Sequence, residues 1–288
     1  MGQFSEEMLT RTVLGLTRRV LIQSRIKQIS LPSRGMKKQA APCVFDGGIG
    51  GQHGKVGVVV LSGDQTLEQE LSTILLPEGL GCFYSRVMME NEVTPETLQS
   101  MKSRISGSAS LILPEMNLDV LAYGCTSASA TIGEEEVFAQ LSTRQPEAAK
   151  TSPITAALKA FSTLKAQKIG LVTPYIGEVN DILINYMEKY GPWKVTNLVS
   201  FNLIRDADVA SVTAESIKEA AIKVGQMEDV DTVFISCTNL RTSKVVADVE
   251  KIIGKPVTSS NLSMAWHIMR LTGVKTDLSN SYGTLFSK

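Results

Sequence analysis

Few of the usual anchors for metal or disulfide chemistry are present. Only four cysteines and two histidines occur in 288 residues, and no two cysteines form a CxxC pair. Neither a zinc site nor a disulfide framework is therefore expected, and the thiols should be free in a reducing compartment. There is no excess of charge of either sign: Lys plus Arg and Asp plus Glu both number 29. A balanced chain has no overall field to draw it to nucleic acid or to an anionic membrane, which leaves a small molecule as the expected partner. No apolar run approaches the roughly 18 residues that a membrane span needs. No P-loop glycine string occurs, nor a lysine in a pyridoxal-phosphate context, so the chemistry is expected to need no cofactor. What remains is the composition of a globular protein, 43% hydrophobic and 20% charged, long enough for two lobes of domain size.

Two stretches organise the rest. Leu118-Asp-Val-Leu-Ala-Tyr-Gly-Cys-Thr-Ser-Ala-Ser129 is an apolar run that opens into a polar turn carrying a thiol and hydroxyls. Val230-Asp-Thr-Val-Phe-Ile-Ser-Cys-Thr-Asn-Leu-Arg241 repeats the pattern. A second matching pair precedes them, Lys55-Val-Gly-Val-Val-Val-Leu-Ser62 and Lys168-Ile-Gly-Leu-Val-Thr-Pro-Tyr175. Lys55 lies 70 residues before Cys125 and Lys168 lies 69 before Cys237, so the register is kept over the whole span. That is an internal repeat of two α/β lobes, each a Rossmann-like parallel sheet, related by a pseudo-twofold with a cleft between them. Each lobe should present its Cys-Thr turn at a strand's C-terminal end.

Residues 1–54 stand outside the repeat, with eight Lys or Arg against three acids. They read as a surface or oligomer-contacting helix, or as a targeting presequence, followed by a linker that holds five glycines between positions 47 and 54. A cytoplasmic homo-oligomer is expected, with an organellar address as the alternative. The first lobe is placed at 55–150, completed by a C-terminal helix within 262–288, and the second at 151–261. A strand at 56–61 leads into a helix from about Thr66, followed by a strand at 80–87 and a helix over 94–107. Further helices are expected at 133–141, 154–163, 214–226, 243–253 and 264–271, and strands at 169–173, 195–201, 232–236 and 256–260. Residues 145–152 read as a polar connector. His53 and His267 are expected to be surface or capping residues.

Asp64 follows the first strand, where α/β sheets hold ligands, and equally suits a helix N-cap or Asx-turn. Arg86 ends the second strand and suits either a carboxylate clamp or an ion pair. A thiol acts as nucleophile or base only as thiolate, and a turn at a helix N-terminus should lower its pKa. The same backbone N–H groups, with the hydroxyls of Thr126, Ser127 and Thr238, suit an oxyanion. Two opposed thiols suit reactions through a planar intermediate with two faces, such as racemisation or cis-trans isomerisation.

At Gly124-Cys-Thr-Ser-Ala-Ser129, Thr173-Pro-Tyr175, Ser236-Cys-Thr238 with Leu240-Arg241, and Ser260-Asn261 with Ala265-Trp266 and Arg270-Leu271, the chain resembles the aspartate/glutamate racemase superfamily. Within it, the likeness is to the branch of maleate cis-trans isomerases, arylmalonate decarboxylases and ectoine-utilisation protein A. The Ala-Trp-His-x-x-Arg-Leu ending and the Tyr84-x-Arg86 pair are most similar to the last of these. The resemblance covers about 55–274. It implies an isomerase or racemase of a small carboxylate in which Cys125 is nucleophile or base and Cys237 its partner. It further implies that Tyr175, Thr126 and Ser127 bind the carboxylate and that Asn202 matches a substrate-contacting asparagine. Asp64 stands where maleate isomerases have another asparagine, which favours an amine-bearing substrate over a dianion. Arylmalonate decarboxylases keep only the second cysteine, so two cysteines favour isomerisation or racemisation. The alternatives are a maleate-type isomerase, a one-cysteine decarboxylase or lyase, and a two-lobed small-acid sensor without turnover.

Overall fold

Unbroken apolar runs become the central strands of two sheets, because a strand covered by helices on both faces needs no polar alternation. The computed structural model describes residues 50–288. The basic N-terminal stretch and most of the glycine-rich linker lie outside the described residues. The first sheet holds β1 (Gly54–Leu61), β2 (Leu80–Val87), β3 (Val120–Gly124) and β4 (Ala149–Thr151) in the order β2-β1-β3-β4, all parallel. The second holds β5 (Lys168–Thr173), β6 (Lys194–Ser200), β7 (Thr232–Ile235) and β8 (Val257–Ser259) in the order β6-β5-β7-β8, again all parallel. The two orders are the same, and the two-lobe α/β fold read from the repeat is the one observed.

In the first half the strands are joined by α1 (Leu67–Leu75), α2 (Pro95–Ser100) and α3 (Lys102–Ala109), then α4 (Thr126–Ile132) and α5 (Glu134–Ser142). Next come α6 (Pro153–Leu164), α7 (Gly177–Lys189), α8 (Asp206–Ser211), α9 (Ala214–Gly225), α10 (Val246–Ile253) and α11 (Ser260–Leu271). Valines 56, 58, 59 and 60 on β1, and Val233, Phe234 and Ile235 on β7, are fully buried. Burial of such side chains is worth roughly 1.5–3 kcal/mol each and is the main force holding each layer together.

Several details differ from the sequence reading. The single helix expected over 94–107 is broken at Met101 into α2 and α3; a Thr94–Thr97 capping box opens α2. The connector at 145–152 contains β4, an edge strand of three residues. Helix α8 had not been expected, the helix read at 133–141 is preceded by a separate short α4, and α11 starts four residues early because the Ser259 hydroxyl accepts from the Leu262 N–H at 3.2 Å. His267 joins the two halves: its Nδ1 lies 2.8 Å from the Thr151 hydroxyl of β4, and burial pulls its pKa down to about 4. It is therefore neither the surface nor the capping residue expected, but a half-buried link between β4 and α11. Among the described residues, no helix is long and apolar enough to cross a membrane.

Candidate active site

Both Cys-Thr turns leave the C-terminal ends of strands that lie next to the first strand of their sheet, and both reach one cavity. Gly124, the last residue of β3, allows this on the first side, since a Cβ there would meet Leu67 Cδ2 at 2.4 Å and drive α1 off the sheet. Cys125, Thr126, Ser127, Tyr175, Cys237 and Thr238 all line the cavity, with Leu61, Met89, Val93, Leu98 and Val209 as its apolar wall. Cys125 and Cys237 are free thiols. The cavity is closed down to about 20 Å³ of water-accessible space, room for little more than one water. The segments after β2 and after β6 shut it. Val93 N–H donates to Ile204 O at 2.7 Å, Asp206 N–H to Asn91 O at 3.2 Å, and Glu92 and Arg205 form an antiparallel bridge. Outside this seam lies a wide cleft of about 590 Å³, with Met89 and Asp206 facing both spaces.

The two thiols are held differently. Cys125 is the N-cap of α4: its Sγ accepts from the Ala128 N–H at 3.4 Å and lies 3.6 Å from the Ser127 hydroxyl. The amides of Thr126 and Ser127 have no protein acceptor among the described residues, as expected of a helix's first turn. Cys237 has φ +139, a conformation costly for a residue with a Cβ. No helix starts there; a loop runs on to α10 at Val246. The sequence expectation that both thiols sit at helix N-termini therefore holds for Cys125 alone. A carboxylate from the other lobe takes the helix's place. Glu70 of α1, itself buried, accepts from the N–H groups of Thr242 and Ser243 at 2.8 Å each and from Asn261 Nδ2 at 2.7 Å.

Hydroxyls lace the turns together across the lobes. Cys237 N–H donates to Ser260 Oγ at 3.0 Å, and Ser260 Oγ is 2.8 Å from Thr126 Oγ1, so the Ser260 hydroxyl is free to donate to Thr126. In the reverse direction, the Thr238 hydroxyl donates to Gly124 O at 3.4 Å. Tyr175 is fixed through its carbonyl, which accepts from Asn180 Nδ2 at 2.9 Å and Ser200 Oγ at 2.5 Å.

The electrostatics contradict the expectation of thiols poised as thiolates. Burial pushes Cys125 up to about 12, against the pull of the Ala128 amide and the Ser127 hydroxyl, and Asp206 and Asp64 push it further. Burial and then the Asp206 charge hold Cys237 well above its ordinary value, and burial does the same to the Tyr175 phenol. In the closed cavity removal from water outweighs one short helix and keeps both cysteines as neutral thiols.

Asp64 forms the Asx-turn ahead of α1, whose N-cap is Thr66, and it is not among the residues that line the thiol cavity. Its Oδ1 accepts from the N–H groups of Thr66 and Leu67 at 2.8 Å each, while Oδ2 is buried without a partner. The nearby Thr238 hydroxyl is directed at Gly124 O instead. Two other sequence candidates are corrected. Arg86 lies outside the cavity and pins the loop after β1, donating to the carbonyls of Leu61, Ser62 and Asp64 at 3.1, 3.3 and 2.9 Å and pairing with Glu68 at 3.0 Å. Asn202 is exposed in a left-handed turn (φ +54), where asparagine is tolerated, and does not line the cavity.

Asp206, Asn239, Glu70 and Ser260 were not anticipated. Asp206 lies among Arg205 and Asp208 in what reads as a charged surface loop, and its one signal is that it follows a strand's C-terminal end. Asn239 directly follows Cys237-Thr238 and could have been found from that alone. Among the described residues, no cluster of His, Cys, Asp and Glu has the arrangement of a metal site.

The family model described as arylmalonate decarboxylase matches residues 75–286. The maleate isomerase of Geobacillus stearothermophilus is 27% identical over 250 residues, covering 82% of this chain and 98% of its own length. The arylmalonate decarboxylase of Bordetella bronchiseptica is 28% identical over 141 residues, covering 48% of this chain and 58% of its own. Among solved structures, a variant of the Nocardia farcinica maleate cis-trans isomerase with a covalently bound succinylcysteine intermediate superposes with a TM-score of 0.72. It is 23% identical, with 81% of this chain and 98% of that one covered, and carries the same aspartate/glutamate racemase-like fold.

Proposed function

Because the chain belongs to the arylmalonate decarboxylase family, we propose that it is a cofactor-independent isomerase or racemase of a small carboxylate, acting through Cys125 and Cys237. What supports this most is a single observation: two free thiols on matching turns of two lobes line the same closed cavity. Its relatives named maleate isomerases place the chain among isomerases.

The substrate carboxylate is held by the free amides of Thr126 and Ser127 and by the Ser127 and Tyr175 hydroxyls. In the racemase form, one cysteine first releases its thiol proton to water and then, as thiolate, takes the α-proton and becomes a thiol again. The charge passes to the carboxylate oxygens, where the amides hold it. The other cysteine's thiol then delivers its proton to the opposite face and becomes the thiolate, so the proton count is unchanged and the two sulfurs exchange roles. In the cis-trans form, the thiolate adds to one alkene carbon and the charge moves to the far carbon. Rotation about the new single bond follows, and the thiolate leaves.

The racemase form is preferred. Asp64 brings a carboxylate to the position that the resemblance gives to a substrate-contacting asparagine, and a buried carboxylate repels a dianion and attracts an amine. An amino acid or diamino acid is the substrate class, and the likeness of the Ala265 to Leu271 segment to ectoine-utilisation protein A brings ectoine-derived diamino acids within it. The one-cysteine decarboxylase is the second reading, favoured by the family description. Incubation in D₂O with single enantiomers of small amino acids separates the two. Label entering the α-carbon with inversion, lost in both Cys125→Ala and Cys237→Ala, is the expected result. Label uptake that persists in Cys125→Ala, or loss of CO₂ from malonates, moves the assignment to the decarboxylase.

A further inference from the structure

We propose that Asp206, with Asp64 as the neighbouring charge, forms an ammonium subsite beside the two thiols, so that the substrate is a small zwitterion with its carboxylate at the Cys125 turn and its amine at Asp206. The inference rests on the two-thiol reading and adds a second specificity residue, Asp206.

Asp206 lines the cavity with both cysteines and is only 8% exposed; Asp64 is 3% exposed. The two come from different lobes, Asp64 from the loop after β1 and Asp206 from α8 after β6, and one side chain ties them. Asn239 Nδ2 donates to Asp206 Oδ2 at 2.9 Å, while Asn239 Oδ1 accepts from the Gln65 N–H at 2.9 Å, next to Asp64. Gly63 leaves room beside this carboxylate, since a Cβ there would lie 2.8 Å from Asp206 Oδ2. Asp64 Oδ2, buried and without a partner, is the second observation. A buried carboxylate oxygen without a donor is expensive, and each such group asks what it serves.

Among the described residues, no Lys, Arg or His lines the cavity. Arg86 bears on Asp64, but its guanidinium is engaged by three carbonyls and Glu68; Arg205 is turned out to Asp208 at 3.9 Å. One buried carboxylate, Asp206, thus faces the cavity, and a second, Asp64, lies beside it outside the lining, with no cation among the described lining residues to offset them. A dicarboxylate would add like charge to this pair, whereas an ammonium supplies the missing one. It would also offset the two charges that oppose ionisation of both thiols, so that a seated substrate helps to activate them.

The test uses ligand pairs that differ only by the amine, alanine against propionate and aspartate against succinate, titrated by calorimetry into the whole protein. The wild type should bind at least one amino acid about tenfold or more tightly than its deaminated partner, and Asp206→Asn should cut that preference about tenfold. Asp206→Asn keeps the shape of the side chain, and a second readout guards against misfolding. In the wild type the amine preference should fall as the pH drops below about 6, where burial and the Asp64 charge place the Asp206 pKa. It should be flatter in Asp206→Asn. The other ionisable groups facing Asp206 are Cys125, Cys237 and Tyr175 in the cavity, Asp64 beside it, and Glu90, Glu92 and Arg205 in the outer cleft.

Failure of the wild type to prefer either amino acid, or an unchanged preference in Asp206→Asn, overturns the subsite. The two-thiol reading can survive that result: α-proton exchange of propionate or succinate that needs both cysteines would keep it and remove the subsite alone.

Discussion

The two Cys-Thr turns descend from the same pattern and end in different structures. Cys125 continues directly into α4 and caps it in an ordinary extended conformation. Cys237 is bent to φ +139 and is followed by a loop whose amides are capped by Glu70 from the opposite lobe. The first turn is thus a local structure that its own helix supports, and the second exists only because the two lobes are packed together. A repeat in sequence fixes which residues reach the cavity, but the backbone that carries them depends on what each lobe finds across the interface.

This contrast predicts unequal sensitivities. Glu70→Ala should have the largest effect on stability, about 3 kcal/mol or more in urea denaturation, because it strands the amides of Thr242 and Ser243 and the Asn261 side chain in the interior. Activity should fall with it, since Cys237 loses its support. An equal loss from mutating the α4 side would erase the distinction.

Next in size is a pH effect at the seam between the lobes. Burial and the Asp64 charge push Asp206 up to about 6, from an ordinary value of 3.8. A carboxyl raised on folding binds more protons in the folded state, so its favourable contribution is full below about pH 4 and is lost as the pH rises through about 6. Asp206→Asn should therefore stabilise the protein at pH 7 by about 2 kcal/mol and flatten its stability between pH 4 and 6. Thermal unfolding across that range checks both statements.

Smaller still is the backbone strain. At position 237 glycine should be more stable than alanine by about 1 kcal/mol, and at position 125 the order should reverse by about 0.5–1 kcal/mol. The smallest effects concern the cross-lobe hydroxyls. Thr126→Val, which removes a 2.8 Å contact to Ser260, should cost about 1 kcal/mol, and Thr238→Val, at 3.4 Å to Gly124 O, a few tenths.

The parts of the molecule that were legible in the sequence are those set by local pattern. The valines of β1 and the apolar run of β7 announced buried parallel strands, and the register from Lys55 to Cys125 and from Lys168 to Cys237 announced two equivalent lobes with thiols at strand ends. Asp64 as an Asx-turn ahead of a helix was readable from its place before Thr66. What escaped was non-local. Three residues of β4 have no periodicity to detect, and the six of α8 look like a charged loop. Arg86 and Asn202 sit in plausible sequence positions, yet the first is held by the carbonyls of 61, 62 and 64 and the second faces solvent. Asp206 is held at the cavity by Asn239 of its own lobe, which also accepts from the Gln65 N–H of the other, and no spacing encodes that link.

The central claim is that Cys125 and Cys237 act as one unit on a single bound molecule, and a cycle of turnover rates tests it most directly. The rates needed are those of Cys125→Ala, Cys237→Ala and the double variant, measured on whichever enantiomer exchanges its α-proton. The account predicts that each single change lowers kcat by about 10³-fold or more and that the double variant is no slower than the slower single one, because a two-face reaction stops when either thiol is gone. Near wild-type turnover in either single variant, or losses that multiply in the double, would contradict it.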